Sequence, residues 1–114
     1  MKYEQLQEKA IQWANDRNIF ENSDATKQIS KTQEELDETL DALKKLDLYK
    51  KSDNQLIRSE IMNEVADGIG DMLVTIILLA KMVNLDTVDC LAAAYDEIKD
   101  RKGKMVNGLF VKEK

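Results

Sequence analysis

Apolar residues recur at intervals of three and four in four stretches of this chain, the spacing of amphipathic helices. The first stretch, about Lys2 to Arg17, places Tyr3, Leu6, Ala10, Trp13, Ala14 and Arg17 on one side. Asn22-Ser23-Asp24 then offers capping side chains for a second helix, about 24 to 47, whose stripe is Ile29, Leu36, Leu40 and Leu43. Ser52 and Gln55 have capping-box spacing and open a long third helix that ends near Val83, with Ile61, Val65, Ile69, Met72 and Ile76 as its stripe. Asn84-Leu85-Asp86 breaks the pattern. A fourth helix, about Thr87 to Lys102, turns Cys90, Leu91, Ala94 and Ile98 inward and stops at Gly103, a residue suited to a left-handed C-terminus. The tail GKMVNGLFVKEK is short and β-permissive. The pattern predicts one all-α domain over residues 1–114, an antiparallel four-helix bundle with a short extended C-terminal tail.

Composition agrees with helices: 34% of residues are charged, 5% are aromatic and there is no proline. A net charge of −5 argues against a general nucleic-acid binder, which needs a positive surface to displace counterions from phosphate. The longest apolar run, Met72 to Ala80, falls far short of the ~20 residues of a membrane span, and the start of the chain lacks the apolar stretch of a signal peptide. The expectation is therefore a cytoplasmic protein with neither nucleic acid nor membrane as partner. The one cysteine, Cys90, is expected to be a small core residue.

Charge patterning points to chemistry. Glu34, Glu35, Asp37, Glu38 and Asp41 crowd the second helix, where like-charge pairs four apart each cost a few tenths of a kcal/mol. A solvated face accounts for such a cluster taken alone. On the third helix Glu60, Glu64, Asp67 and Asp71 fall within a sector of roughly 60° at about 100° per residue, and the same row continues into Val74 and Leu78. Asp71 thus stands where a wet face runs into a dry one, and a carboxylate there needs a hydrogen-bond partner, a raised pKa or a cation. Hard oxygen ligands on neighbouring helices suit Mg²⁺, with Mn²⁺ as the alternative. The chain has no histidine, which disfavours zinc, di-iron and histidine-based acid–base sites. Gly68 and Gly70 interrupt the third helix at about 1 kcal/mol each relative to alanine, which a close approach by a ligand or by a packed helix would explain.

Lys31-Thr-Gln-Glu34-Glu35-Leu-Asp-Glu38 and the acids of the third helix resemble the MazG-like, all-α nucleoside triphosphate pyrophosphohydrolases, whose signature is a lysine-led EExxE on one helix and ExxD on the next. The first half matches in full. In the second half Asp71 keeps the downstream apolar register but leaves Gly68 where glutamate is expected, with Asp67 as a substitute; Glu64-Val-Ala-Asp67 is the literal ExxD, one turn earlier. The closing DEIKDRKGKMVNG is similar to a phage-associated branch.

The resemblance implies Mg²⁺-dependent cleavage of a (deoxy)nucleoside triphosphate between its α- and β-phosphates. It assigns Glu35, Glu38, Asp67 and Asp71 to the metal and Glu34 or Glu64 to orienting the water. Lys31 belongs to its motif, and it suggests Trp13 beside the base. The late basic cluster, Lys99, Arg101, Lys102 and Lys104, reads either as cations at a helix C-terminus or as a clamp on the distal phosphates. A long helix apolar on every side over Met72–Ala80 in so short a chain predicts a homodimer or homotetramer, in which Phe110 and the tail cover or strand-pair with a neighbour. The rival expectations are an inactive helical interaction module and a dUTPase- or dCTPase-like specialist.

Overall fold

The computed structural model describes residues 1–51 and 53–113, and within them the chain is mostly helical with one small sheet. Helix α1 spans Tyr3–Asp16, the single-turn α2 Ile19–Asn22, α3 Ala25–Tyr49, α4 Gln55–Met82 and α5 Thr87–Ile98. Strands β1, Gly103–Val106, and β2, Leu109–Lys112, pair antiparallel.

Local chemistry accounts for most of the boundaries. Asp24 caps α3 by accepting from the Lys27 amide at 2.9 Å, as the capping signal predicts. Ser52, half of the predicted capping box, lies outside the described residues; the cap seen on α4 is Asn54, whose Oδ1 accepts from the Ile57 amide at 3.1 Å. α4 ends in a Schellman motif: Asn84 takes φ 60°, the Leu85 amide reaches the Ala80 carbonyl at 2.8 Å and the Asn84 amide the Lys81 carbonyl at 3.1 Å. The axes of α4 and α5 meet at 99° across this break. Among the described residues no single helix is long and apolar enough to cross a membrane.

The core differs from the predicted stripes. α3 packs along α4 through Gln28, Glu35, Thr39 and Ala42, against Ile61, Val65, Gly68 and Thr75. The expected stripe of Ile29, Leu36, Leu40 and Leu43 stays about half exposed, as do Ile69 and Ile76 of α4. A second small core forms where Ala14 of α1 meets Ile77 and Leu78, with Ala10, Ile11, Ile19, Phe20 and Val74 around it. Tyr3, Leu6 and Trp13 lie outside it. α5 buries no residue, so Cys90, Leu91, Ala94 and Ile98 do not turn into a core within one chain, because the corner at Asn84 carries α5 away from the α3–α4 pair.

The tail is a hairpin, not a plain extension. Asn107 and Gly108 both take positive φ, 51° and 81°, the pair of values a two-residue type I′ turn requires. Gly103 is not a left-handed helix terminus; it begins β1, and a Cβ there would overlap the Val111 carbonyl and the Phe110 ring. α5 consequently stops at Ile98 and not near Lys102.

Glycine 68 is explained by helix packing, since a Cβ would overlap Thr39 Oγ1, which is itself committed to the Glu35 carbonyl at 2.7 Å. Nothing lies within 4 Å of the corresponding point at Gly70. Gly68→Ala is expected to cost about 1–3 kcal/mol through overpacking, with Thr39→Ala recovering part of the loss. Gly70→Ala is expected to be neutral or to add up to about 1 kcal/mol of helix propensity. Urea unfolding followed by circular dichroism measures all three.

Candidate functional site

The α3–α4 pair has two flanks on either side of its buried seam. At about 100° per residue, Lys31, Glu34, Glu38, Asp41 and Lys45 of α3 lie on one flank, and Ile29, Leu36, Leu40 and Leu43 on the other. α4 divides the same way, with Glu60, Glu64, Asp67 and Asp71 opposed to Met62, Ile69, Leu73 and Ile76. The acidic rows of the two helices share one flank: Lys45 Nζ of α3 meets Glu64 Oε2 of α4 at 3.3 Å, and Lys31, Glu35 and Asp71 line one cleft.

That cleft, about 460 Å³, opens between α1, α3 and α4. Its apolar end is made by Trp13, Ile19, Val74 and Leu78, its polar end by Lys27, Lys31, Glu35 and Asp71, with Ser23, Gln28 and Thr75 between. α2, which the apolar periodicity does not reveal, supplies Ile19 and packs Phe20 on the small core. Arg17 stacks on the Trp13 ring, its guanidinium carbon 4.6 Å from the centroid. Gln28 is buried and donates to the Thr75 carbonyl at 3.1 Å, fixing α3 to α4 beneath the cleft. Gln28 stands one turn before Lys31 and two before Glu35, so its membership of this face is readable from spacing alone.

Glu35 is the buried acid of the set: its side chain keeps 11% of its exposure, and Lys31 Nζ lies 3.6 Å from its Oε1. The same lysine reaches Glu34 Oε2 at 3.3 Å, and this hydrogen bond is the main reason the Lys31 ammonium holds its proton above the ordinary value. Glu38 is exposed, but the charge of Glu35 beside it pushes its carboxyl up from the usual range. A carboxyl whose ionisation is disfavoured by an adjacent carboxylate is a ready donor to a divalent cation, which would lift that repulsion. No three acidic side chains converge on one point among the described residues.

The cleft therefore gathers Trp13, Lys31, Glu35 and Asp71; Glu34, paired with Lys31, and Glu38, beside Glu35, are not among its lining residues. Asp67 is exposed one turn farther along α4, and Glu64 farther still, held by Lys45. Gly68, where the resemblance expects glutamate, faces Thr39 inside the seam, so a longer side chain has no room there. Lys99, Arg101, Lys102 and Lys104 are not part of this cleft; Lys99 pairs with Asp96 at 3.3 Å, and the other three sit on the hairpin arm beyond α5. No protein-family model matches the chain, and neither the curated proteins nor the solved structures hold a match.

Because the Glu38 carboxyl is raised in the folded state, its protonation stabilises the fold: the gain is complete below its ordinary value of 4.5 and is lost as pH rises through the raised value. Carboxyl-detected NMR should show Glu38 titrating above 4.5, with Glu35→Gln or added Mg²⁺ lowering its midpoint.

Proposed function

We propose that this chain is a Mg²⁺-dependent nucleoside triphosphate pyrophosphohydrolase of the MazG-like, all-α type. The observation that carries the reading is the cleft's division: a wall of Trp13, Ile19, Val74 and Leu78 of a kind that receives a base, next to Glu35 and Asp71, which can face a metal-bound triphosphate.

Glu35, Glu38, Asp67 and Asp71 would hold the cation, and Mn²⁺ could replace Mg²⁺ because all four offer carboxylate oxygen. When bound, the metal neutralises the triphosphate, polarises the reacting phosphoryl group and acidifies the attacking water. The protein's own side chains do the rest. Trp13 would stack on or abut the base, with Arg17 held over the indole. Lys31 would offer its ammonium to a phosphate oxygen if a cation replaced it beside Glu35. Glu34, released from Lys31 by the same exchange, is better placed than Glu64 to take a proton from water, because Glu64 is tied to Lys45. Gly68 in place of a motif glutamate favours one rival, a bundle that has kept its shape and lost turnover.

The working unit in this reading is a homodimer, or a tetramer built from it. One chain exposes 9077 Å², whereas a compact monomer of 13.1 kDa exposes about 6,400 Å². Its radius of gyration is 17.4 Å, against about 13 Å for a compact chain of this length. Among the described residues no large side chain is fully buried. An excess of roughly 2,700 Å² per chain, about 5,400 Å² for a pair, is at the upper end of the 2,000–5,000 Å² or more that obligate homodimers bury. Two α3–α4 pairs placed apolar flank to apolar flank make an antiparallel four-helix bundle with the acids outward.

Pyrophosphate release from a panel of nucleoside triphosphates in Mg²⁺ tests the activity. Glu38→Gln and Asp71→Asn should each cost at least about 10²-fold in turnover with helical circular dichroism unchanged; wild-type turnover in both would remove the site. Light scattering should report at least a dimer, and Leu40→Asp, which puts a charge in the apolar flank, should yield a monomer. A monomeric wild-type protein at micromolar concentration contradicts the assembly.

A further inference from the structure

Charge is segregated along this chain. Residues 1–98 hold eleven lysines and arginines against twenty acids, a net −9, while residues 99–114 hold six against two, a net +4. The basic part is an arm. It leaves the body after α5, and every described hairpin residue is exposed on both faces. Met105 pairs with Phe110 on one face and Val106 with Leu109 on the other, so the arm is apolar as well as basic, and no helix covers it. A two-stranded hairpin standing alone in water is marginal at best. This one needs a surface.

Charge decides which surface. Two arms pairing edge to edge would bring +4 against +4, which favours neither approach nor register. The arm's own chain does not receive it, because α5 leads away from α4 at 99° and buries nothing. What complements a basic, apolar ribbon is the acidic flank of α3 and α4 on a second copy, where seven carboxylates (Glu34, Glu38, Asp41, Glu60, Glu64, Asp67 and Asp71) outnumber Lys27, Lys31 and Lys45, with the apolar end of the cleft beside it.

We propose that the arm is exchanged between two copies: each lays its hairpin along the acidic flank of the other, so that each cleft takes the cations facing its ligand's phosphates from the neighbouring chain. This rests on the nucleotide reading for the phosphates but not for the docking itself. With the cleft empty the arm's lysines face carboxylates directly; with a metal-bound triphosphate in place, Arg101, Lys102 and Lys104 face its outer oxygens.

Zero-length carbodiimide coupling joins a lysine amine only to a carboxylate it touches, which makes the docking measurable without activity. On the nucleotide-free protein it should yield covalent dimers on a denaturing gel, with cross-linked peptides joining Lys102, Lys104 or Lys112 to acids of α3 or α4. The K102A/K104A/K112A protein should lose that band while light scattering still reports the wild-type assembly. No covalent dimer, or one undiminished in the variant, overturns the proposal. For the phosphate role, co-expressed D71N and R101A/K102A/K104A chains should recover pyrophosphate release that neither shows alone, and failure to recover it overturns that role. Arm-dependent dimers without hydrolysis by the wild type would leave the docking standing and refute the nucleotide reading. Hydrolysis without them would do the reverse.

Discussion

The contact on which the rest depends is the seam between α3 and α4, made from Gln28, Glu35, Thr39 and Ala42 on one side and Ile61, Val65, Gly68 and Thr75 on the other. It is narrow and partly polar. Thr39 and Gly68 bring the two backbones close, and the Gln28 amide ties α3 to the Thr75 carbonyl. Such a seam buries little apolar area, so it stabilises the pair less than a leucine-rich interface would. Its effect is to set orientation. Once small and polar residues fill the contact, the leucines and isoleucines must point to one flank and most of the acids to the other.

Each flank then has a consequence. The apolar one leaves Ile29, Leu36, Leu40 and Leu43 about half exposed and is the face on which the proposed dimer would close. The acidic one accumulates like charge at a cost that nothing within the chain fully offsets: Lys31 answers Glu34 and Glu35, Lys45 answers Glu64, and Glu38 is left leaning on Glu35. Glu35 is held at the seam with its carboxylate at the edge of the cleft, which makes it the acid whose position is most constrained. A second, smaller network fixes the far corner. Asp86 caps α5 through the Val88 amide at 2.8 Å and accepts from Gln7 Nε2 at 2.8 Å, a bond that is the main reason its carboxyl is held below the ordinary range. Tyr3 bonds to Thr87 there at 2.7 Å, so α1 sets the direction in which α5 and the arm depart.

The helices were legible because their ends carry local chemistry: Asp24 as a cap and Asn84 as a left-handed stop act within a few residues of themselves. Burial was legible only in part. Periodicity marks Leu36, Leu40 and Leu43 as residues that avoid water, but it does not say whether the cover comes from the same chain, and here the same chain presents Thr39 and Ala42 to α4 instead. Cys90 and Leu91 escape for a related reason, since the 99° corner that carries them outward depends on contacts from α1, more than 70 residues away. The hairpin has a short-range signal in Asn107-Gly108 between apolar residues, consistent with a β-permissive tail. Of the candidate site, the acids and Trp13 were readable as a face; that the late basic cluster stands apart from them was not, because spacing within helices carries no information across a corner.

In the proposed function the acidic flank and the Trp13 cleft form one site for a divalent cation and a nucleotide. Anomalous diffraction from crystals grown with Mn²⁺ and a non-hydrolysable nucleoside triphosphate tests it most directly. The predicted result is a manganese peak among Glu35, Glu38 and Asp71 with the base against Trp13. Nucleotide bound elsewhere, or a cleft holding nucleotide with no metal at those carboxylates, would contradict it.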